Sequence, residues 1–414
     1  MKFAHFADCH IGSWRDQKLK DISVKAFVKA INACIEQKVD FIIISGDLFN
    51  TSVPSIDSLK EAVKKLKELK DIGIPVYGVA GSHDFSAAGK TMIDVLENAG
   101  IFKNVFNGRV HDKKLVLDFT QDMKTGAKMT GIIGKKGMLD RKFYEILEKT
   151  GLEKEKGYKI FLFHTAIDEI KPKELERIDS APMDFLPKGF NYYAGGHVHY
   201  IFEQRFPGFG WIVYPGALFP TNFHDLEKYS KGGFYIVEVN EGKDGAFTEK
   251  LRWEPVQVIN TFHIKIDCSN KTAKQAEEEI YSEIKTKEFV NTIVTIRLFG
   301  RLKQGKASDV DFKGIFEVLN DKSAYYVMKS TSMLESDEFK EGDMQVGSDS
   351  VDDSERKIVK QHLGRIKVDG LDPRSEEELM HRLLQALSIE KAEGEKNADF
   401  EKRVVDEVGK ILDV

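Results

Sequence analysis

The ten residues FIIISGDLFN, Phe41 to Asn50, decide how the rest of the chain is read. A phenylalanine and three isoleucines form a short continuous apolar run, the pattern of a strand buried on both faces. Gly46 and Asp47 follow at once and place a carboxylate on the loop at the strand's carboxyl end. In layered α/β folds, ligands bind beyond that end. Working outward, Lys2 to Ala7 reads as a strand, and Asp21 to Gln37 has helical periodicity through Ile22, Ala26, Phe27, Ala30 and Ile31. Ile56 to Leu69 is helical again, and Pro75 to Val79 is a third strand. Strands at this spacing, with helices between them, predict an α/β unit with parallel pairing.

The strand-then-ligand arrangement recurs. Asp8-Cys9-His10 follows the first strand, and Gly81-Ser82-His83-Asp84 follows the third. His164 follows the strand Lys159 to Phe163, and Gly196-His197-Val198-His199 follows a strand at Tyr192. Taken singly each signal is weak, because a lone Gly-Asp is usually a turn and a lone histidine usually structural. Five such clusters in order, all at strand ends, point to one site. Asp8, Asp47, His10, His164, His197 and His199 at one edge require a cation to balance and coordinate them. The mixed carboxylate–imidazole set suits manganese, iron or zinc and is too rich in nitrogen for calcium or magnesium alone.

This order, DxH…GD…GxHD…H…GHxH, resembles the calcineurin-like metallophosphoesterase superfamily. GDLFN at 46–50, VAGSHDFS at 79–86, LFHT at 162–165 and YYAGGHVH at 192–199 are similar to the archaeal Mre11-type double-strand-break repair nucleases, related to bacterial SbcD. The resemblance implies an α/β fold: a metallophosphoesterase β-sandwich flanked by helices, a small α+β capping domain and a C-terminal helical pair. It also implies one metal held by Asp8, His10, Asp47 and His199, and a second held by Asp47, His164, His197 and Ser82. Asp47 would bridge them, since one anion between two cations reduces their repulsion. His83 matches the family's non-ligand catalytic histidine, with Asp84 expected to orient it. Two positions depart from the pattern. Ser82 stands where most members carry asparagine, and Asn50 where the nucleases commonly carry a histidine that helps place the substrate phosphate. His224 is read as structural or at the substrate edge.

The implied activity is a manganese-dependent DNA nuclease with two manganese ions per subunit. It would be a 3′-to-5′ exonuclease on duplex ends and an endonuclease on single strands, acting on DNA breaks. The implied partners are DNA, a Rad50-type coiled-coil ATPase and a second copy of the chain, with helices between Asp57 and Leu69 or after Gly89 as candidates for the dimer interface. The competing expectations are a small-substrate phosphodiesterase and a DNA-end-binding scaffold with a weak site.

Shifts in composition and pattern divide the chain, and the resemblance names the parts. Residues 1–257 form the phosphoesterase domain, with short β segments from Lys103 to Gly137, a helix near Arg141 to Lys149, and further strands up to Val239. Residues 258–334 form the small capping domain. Residues 335–371 are acidic and polar and read as a flexible linker. Residues 372–414 read as two amphipathic helices that dock a partner protein, which the resemblance implies is the ATPase. Asp372-Pro373 stops one element, and Ser375 with Glu378 fits a capping box. One apolar face carries Leu379, Met380, Leu383, Leu384 and Leu387, and the other carries Phe400, Val404, Val408, Ile411 and Leu412.

Composition bounds the alternatives. The chain has 414 residues, 41% hydrophobic and 31% charged, an ordinary globular balance that excludes collagen-like or wholly disordered chains. No apolar run approaches the ~20 residues that span a bilayer. The N-terminus lacks the pattern of a signal peptide, and the three cysteines, Cys9, Cys34 and Cys268, have no CxxC spacing, so a cytoplasmic, nucleoid-associated protein is expected. The net charge of −5 disfavours DNA only as an average. Residues 101–142 carry ten Lys and Arg against four Asp, while everything from Glu335 onward sums to −9, leaving +4 on the first 334 residues. A local basic surface supplies phosphate contacts whatever the total.

Overall fold

The strand Phe41–Ser45 is buried along its whole length because it has a neighbour on each side and a second sheet across its face. In spatial order its sheet runs Phe247–Val256, Gly232–Glu241, Lys2–Phe6, Phe41–Ser45, Val76–Val79 and Lys103–Asn104. The last four strands are parallel, and the first two add antiparallel at the edge. Helices Gln17–Glu36 and Ile56–Asp71 make the crossovers. Asp16 and Ser55 cap their first turns by accepting from the backbone N–H of Lys18 and Ser58. Leu19, Ile22, Ala26, Phe27, Ala30 and Ile31 bury one face of the first helix.

The computed structural model describes residues 1–86, 89–135, 137, 139–176, 178–336, 378–380, 382–383, 386–387 and 397–412. A second sheet runs Phe202–Arg205, Trp211–Tyr214, Tyr192–Gly196, Lys159–His164, Lys128–Gly131 and Thr120–Gln121. Its four inner strands are parallel and its two edges antiparallel. The sheets pack face to face. Phe3 stacks on Phe41 with centroids 5.1 Å apart and meets Tyr192 of the other sheet edge-on at 5.2 Å. Each such pair contributes ~0.5–1.5 kcal/mol beyond area burial. Ile44, Val79, Leu162 and Ala194 share the core between the layers.

The helix expected after Gly89 is Met92–Asn98, whereas helix Phe223–Tyr229 and strand Phe247–Val256 lie outside the sequence reading. The seven-residue helix Phe223–Tyr229 is under two turns long, too short to display a period. The strand sets Glu249 beside Lys250, which breaks the apolar–polar alternation, and contains Pro255, which its place at the sheet edge tolerates. The helix expected from Arg141 to Lys149 ends at Glu145, and a second short helix, Thr150–Lys154, starts just beyond the expected span. In the basic stretch, Gly108–His111 and Lys114–Leu117 form an antiparallel hairpin. Its turn residues Asp112 and Lys113 both have positive φ (48° and 62°), which matches the twist of a tight hairpin.

Beyond Val256 lies a smaller sheet of Asn260–Asp267, Thr292–Leu302 and Tyr326–Ser336. An α+β arrangement was expected for this part. Instead all three strands are parallel, and helices Ala273–Ile284 and Phe312–Asp321 lie between successive strands, so it is built from βαβ units. Ile264, Ile266, Val294, Ile296 and Leu298 form its core with Ile280, Ile315 and Leu319 from the helices. The last strand continues through Ser336, with Arg301 paired to Glu335, so the first residues read as linker belong to the sheet.

Residues 1–337 make one compact unit and 338–414 another. In the second, helix Asn397–Leu412 spaces Phe400, Val404, Val408 and Ile411 along one side. Leu387, expected on the apolar face of the preceding helix, is 62% exposed. Residues 337–371, Asp372-Pro373, Ser375 and Leu384, on which the linker and capping-box readings rest, lie outside the described residues, as does Lys136 of the basic stretch. Among the described residues, no helix is long and apolar enough to cross a membrane.

Candidate metal centre

The loops after Lys2–Phe6 and Phe41–Ser45 run side by side, tied by main-chain bonds. The N–H groups of Asp8, His10 and Ile11 donate to the carbonyls of Gly46, Asp47 and Leu48 at 3.2, 2.9 and 3.0 Å. This ladder brings Asp8, His10 and Asp47 to one place. All three adopt left-handed backbone (φ 48°, 41° and 50°), and His197 does too (φ 88°). Such conformations cost ~1–3 kcal/mol each at residues other than glycine and persist where the surroundings over-determine them. His197 N–H supplies one such restraint, lying 2.9 and 3.1 Å from the two carboxylate oxygens of Asp8.

His164 comes from the second sheet and points into the first. Its Nδ1–H donates to the Ser45 carbonyl at 2.8 Å, which turns Nε2 toward Asp47 Oδ2, 3.2 Å away. Glycine is required on both sides of this ring. A Cβ at Gly46, whose φ is +85°, would overlap His164 Nδ1, and one at Gly196 would overlap the Ser45 carbonyl.

The donor atoms form three overlapping trios, each within 4.8 Å: Asp8–His10–His199, His10–Asp47–His83 and Asp8–Asp47–His164. His10 Nε2 lies 3.3 Å from His199 Nε2 and 3.7 Å from Asp47 Oδ2. The His197 ring packs against His164 with centroids 5.3 Å apart, and Ser82 Oγ donates weakly to Asp47 Oδ2 at 3.4 Å. Asp8, His10, Asp47, Ser82 and His164 are buried.

Burial and charge pull these groups in opposite directions. Burial pushes the Asp8 carboxyl up to about 6 against the attraction of His164 and His199. It acts the same way on Asp47, but the His164 imidazole, with His10 and His83 behind it, holds that carboxyl well below the carboxylate range. Burial pushes His10 down to about 3 and His197 down to about 4. Burial also disfavours the His164 cation, yet Asp47 and Asp8 outweigh it and raise the ring to about 10. The donor set fits a cation. Among the described residues, His10 Nδ1 and His164 Nε2 are buried and make no hydrogen bond, the latter having only the Asp47 carboxylate beside it, and carboxylates and imidazoles are crowded where water is scarce.

Asp84 departs from the sequence expectation. It does not orient His83. Its oxygens accept from the N–H groups of Gly81, Phe49 and Leu48 at 2.9, 3.1 and 3.3 Å, pinning the loop after Phe41–Ser45 to the loop after Val76–Val79. Burial first, then the nearby Asp47, raises this carboxyl to about 7. His83 is held instead by the main chain: its Nδ1–H donates to the Asn50 carbonyl at 2.8 Å, and its own N–H donates to Asp47 Oδ1 at 2.7 Å.

Asp225 was missed. Its Oδ2 lies 2.7 Å from His199 Nδ1 and also accepts from Asn222 Nδ2 at 2.8 Å. Asn222 caps helix Phe223–Tyr229 by accepting from the Asp225 N–H. The sequence signal was the Asn-x-x-Asp spacing, which the reading passed over in favour of exposed His224.

Residues 1–200 match the family model described as calcineurin-like phosphoesterase. The chain is 26% identical over 393 residues to the DNA double-strand break repair protein Mre11 of Archaeoglobus fulgidus, covering 89% of this chain and 82% of that protein. It is 29% identical to the protein of that name from Methanocaldococcus jannaschii, with 82% and 84% covered. For the Methanococcus maripaludis protein the figures are 26%, 81% and 89%.

Proposed function

We propose that this chain is a calcineurin-like metallophosphoesterase and, more specifically, a manganese-dependent nuclease that processes DNA double-strand breaks. The observation that carries the reading is the strand-end cluster of Asp8, His10, Asp47, His164 and His199, whose donor atoms converge within 4.8 Å in overlapping trios. Similarity to archaeal Mre11 proteins over more than four-fifths of the chain supports DNA as the substrate.

Asp8, His10, Asp47 and His199 would hold one manganese ion, and Asp47, His164, His197 and Ser82 the other. When bound, the two cations polarise the phosphodiester and make a water nucleophilic at neutral pH. The protein's own work is positional. Ser45 and Asp225 fix the tautomers of His164 and His199, leaving the Nε2 atoms as donors. His83, with its Nδ1–H committed to Asn50, keeps Nε2 free to stabilise charge or give a proton to the leaving oxygen. Asp84 holds the two ligand-bearing loops together.

The test is cleavage of labelled duplex and hairpin DNA with manganese, by wild type and His83→Ala. The expected result is 3′-to-5′ degradation and single-strand incision, reduced roughly 10²-fold or more in the variant with metal content unchanged. DNA binding without cleavage at any metal level would favour the scaffold, toward which Ser82 and Asn50 lean. Hydrolysis of bis-p-nitrophenyl phosphate without DNA cleavage would favour a small-substrate enzyme.

The partner assignments belong to the same reading. Residues 372–414 would dock a Rad50-type ATPase, supported by the apolar side of helix Asn397–Leu412. Their deletion is expected to abolish ATPase capture in a pull-down and to spare cleavage. Ile56 (83% exposed) and Val95 (57% exposed), on helices Ile56–Asp71 and Met92–Asn98, support a homodimer. Light scattering of wild type and Ile56→Glu tests it, with an unchanged dimer or a monomeric wild type rejecting this face. Work on chromosomal ends would place the protein at the nucleoid, and its absence there by fluorescence imaging would count against that.

A further inference from the structure

Helix Phe223–Tyr229 is gripped from two sides. Asp225 and Glu227 are two residues apart, about 200° around a helix axis, so they project to opposite sides. On one side Asp225 holds His199 Nδ1 at 2.7 Å. On the other, the Glu227 carboxylate is almost wholly buried beside Arg297, whose Nε lies 3.0 and 2.8 Å from its two oxygens. Lys265 Nζ stands 3.7 Å from the same carboxylate, and the Arg297 guanidinium lies over the ring of Phe223, the first helical residue, at 5.0 Å. Just past the helix, Ser230 (φ 62°) bonds His263 Nε2 at 2.9 Å, and His263 Nδ1 reaches Thr295 Oγ1 at 2.7 Å.

The four gripping residues belong to two strands of the smaller sheet. His263 pairs in register with Thr295, and Lys265 with Arg297. Alternate residues of a strand share a face, so these four form a compact polar patch on one face. The intervening Ile264, Val294, Ile296 and Leu298 are in the core on the other. A seven-residue helix is too short to hold itself and takes its position from such contacts. Packing elsewhere leaves it latitude, since a small cavity lined by His199, Ile201, Asp225, Tyr229 and Trp253 lies beside it.

We propose that the smaller sheet is a working part of the metal site: through this helix, the Glu227–Arg297 pair sets where Asp225 holds His199, and so sets cation affinity. Neither residue belongs to the ligand cluster. Anything that displaces the sheet reaches a metal ligand through one short helix. The inference rests on the metal reading above, and the test separates the two.

Manganese binding to the full chain, without substrate, is titrated by calorimetry for wild type, Arg297→Gln and Tyr325→Ala. Glu227→Gln, an isosteric cut of the same pair, stands in if Arg297→Gln does not fold. Tyr325 makes a separate contact of the smaller sheet's last strand region, with Lys18, remote in sequence from the helix. Cutting the Glu227–Arg297 pair is expected to weaken one manganese step about tenfold, the low end for groups that orient a ligand. Tyr325→Ala is expected to lower the melting temperature and leave manganese affinity unchanged. Wild-type affinity in the pair variant, or equal weakening in Tyr325→Ala, would overturn the proposal. A wild type that binds no manganese would instead overturn the metal reading itself.

Discussion

Asp225 Oδ2 and His199 Nδ1 are 2.7 Å apart, on the opposite side of the imidazole from the nitrogen that faces His10. A carboxylate there fixes the tautomer, steers the ring and makes Nε2 a better donor. Burial lowers the proton affinity of His199, but Asp225, together with Asp8 and Asp47, more than offsets it and raises the ring overall.

Asp225→Asn keeps an oxygen for the hydrogen bond but loses the charge, and Asp225→Ala loses both. Manganese affinity measured by calorimetry is expected to fall about tenfold in the first and nearer a hundredfold in the second. Wild-type affinity in the alanine variant would show that the pair has no part in metal binding.

Ser82 Oγ reaches Asp47 Oδ2 only at 3.4 Å, a weak contact from a short side chain. An asparagine amide oxygen extends further into the cluster. Ser82→Asn is therefore expected to shift the second manganese step to lower concentration while leaving the first in place. Equal midpoints for the two proteins would reject this.

His5 is a buried neutral ring behind the site, bridging Tyr192 Oη at 2.9 Å and Ser45 Oγ at 3.0 Å. Burial pushes it down to about 3, against about 6.5 in the unfolded chain. Between those values the unfolded state binds the extra proton, so the contribution is full above about pH 6.5 and is lost as pH falls toward 3. The loss is on the order of a few kcal/mol by the acid end of that window. Melting curves in chelator from pH 7.5 to 4.5 are expected to fall more steeply for wild type than for His5→Gln. Parallel curves would reject the assignment.

Much of the parallel layer was legible because its signals are local. Phe41 to Ser45 announces a buried strand in five residues, and the Gly-Asp that follows announces a loop with a ligand type on it. Chain order then places Asp8, Asp47, His164 and His197 at strand ends without any knowledge of the pairing. The α+β expectation beyond Val256 failed for the converse reason. Strand direction in Asn260–Asp267, Thr292–Leu302 and Tyr326–Ser336 is set by partners about thirty residues away, which propensity does not carry.

The partners of the ligands lay further out of reach. Asp84 sits beside His83 in the chain, and adjacency made it the natural orienting group. In the fold its oxygens face the amides of Leu48 and Phe49, 36 and 35 residues away, and His83 is left to the Asn50 carbonyl. Asp225 lies 26 residues from His199 on a helix too short to register as a period, and Arg297 a further 70 from Glu227. Residue type and spacing announce which groups bind a cation, because that chemistry belongs to the side chain. Which atom of each ring faces the centre, and what holds it there, depends on hydrogen bonds between distant segments, and only packing the two large sheets and the smaller one together brings those segments into contact.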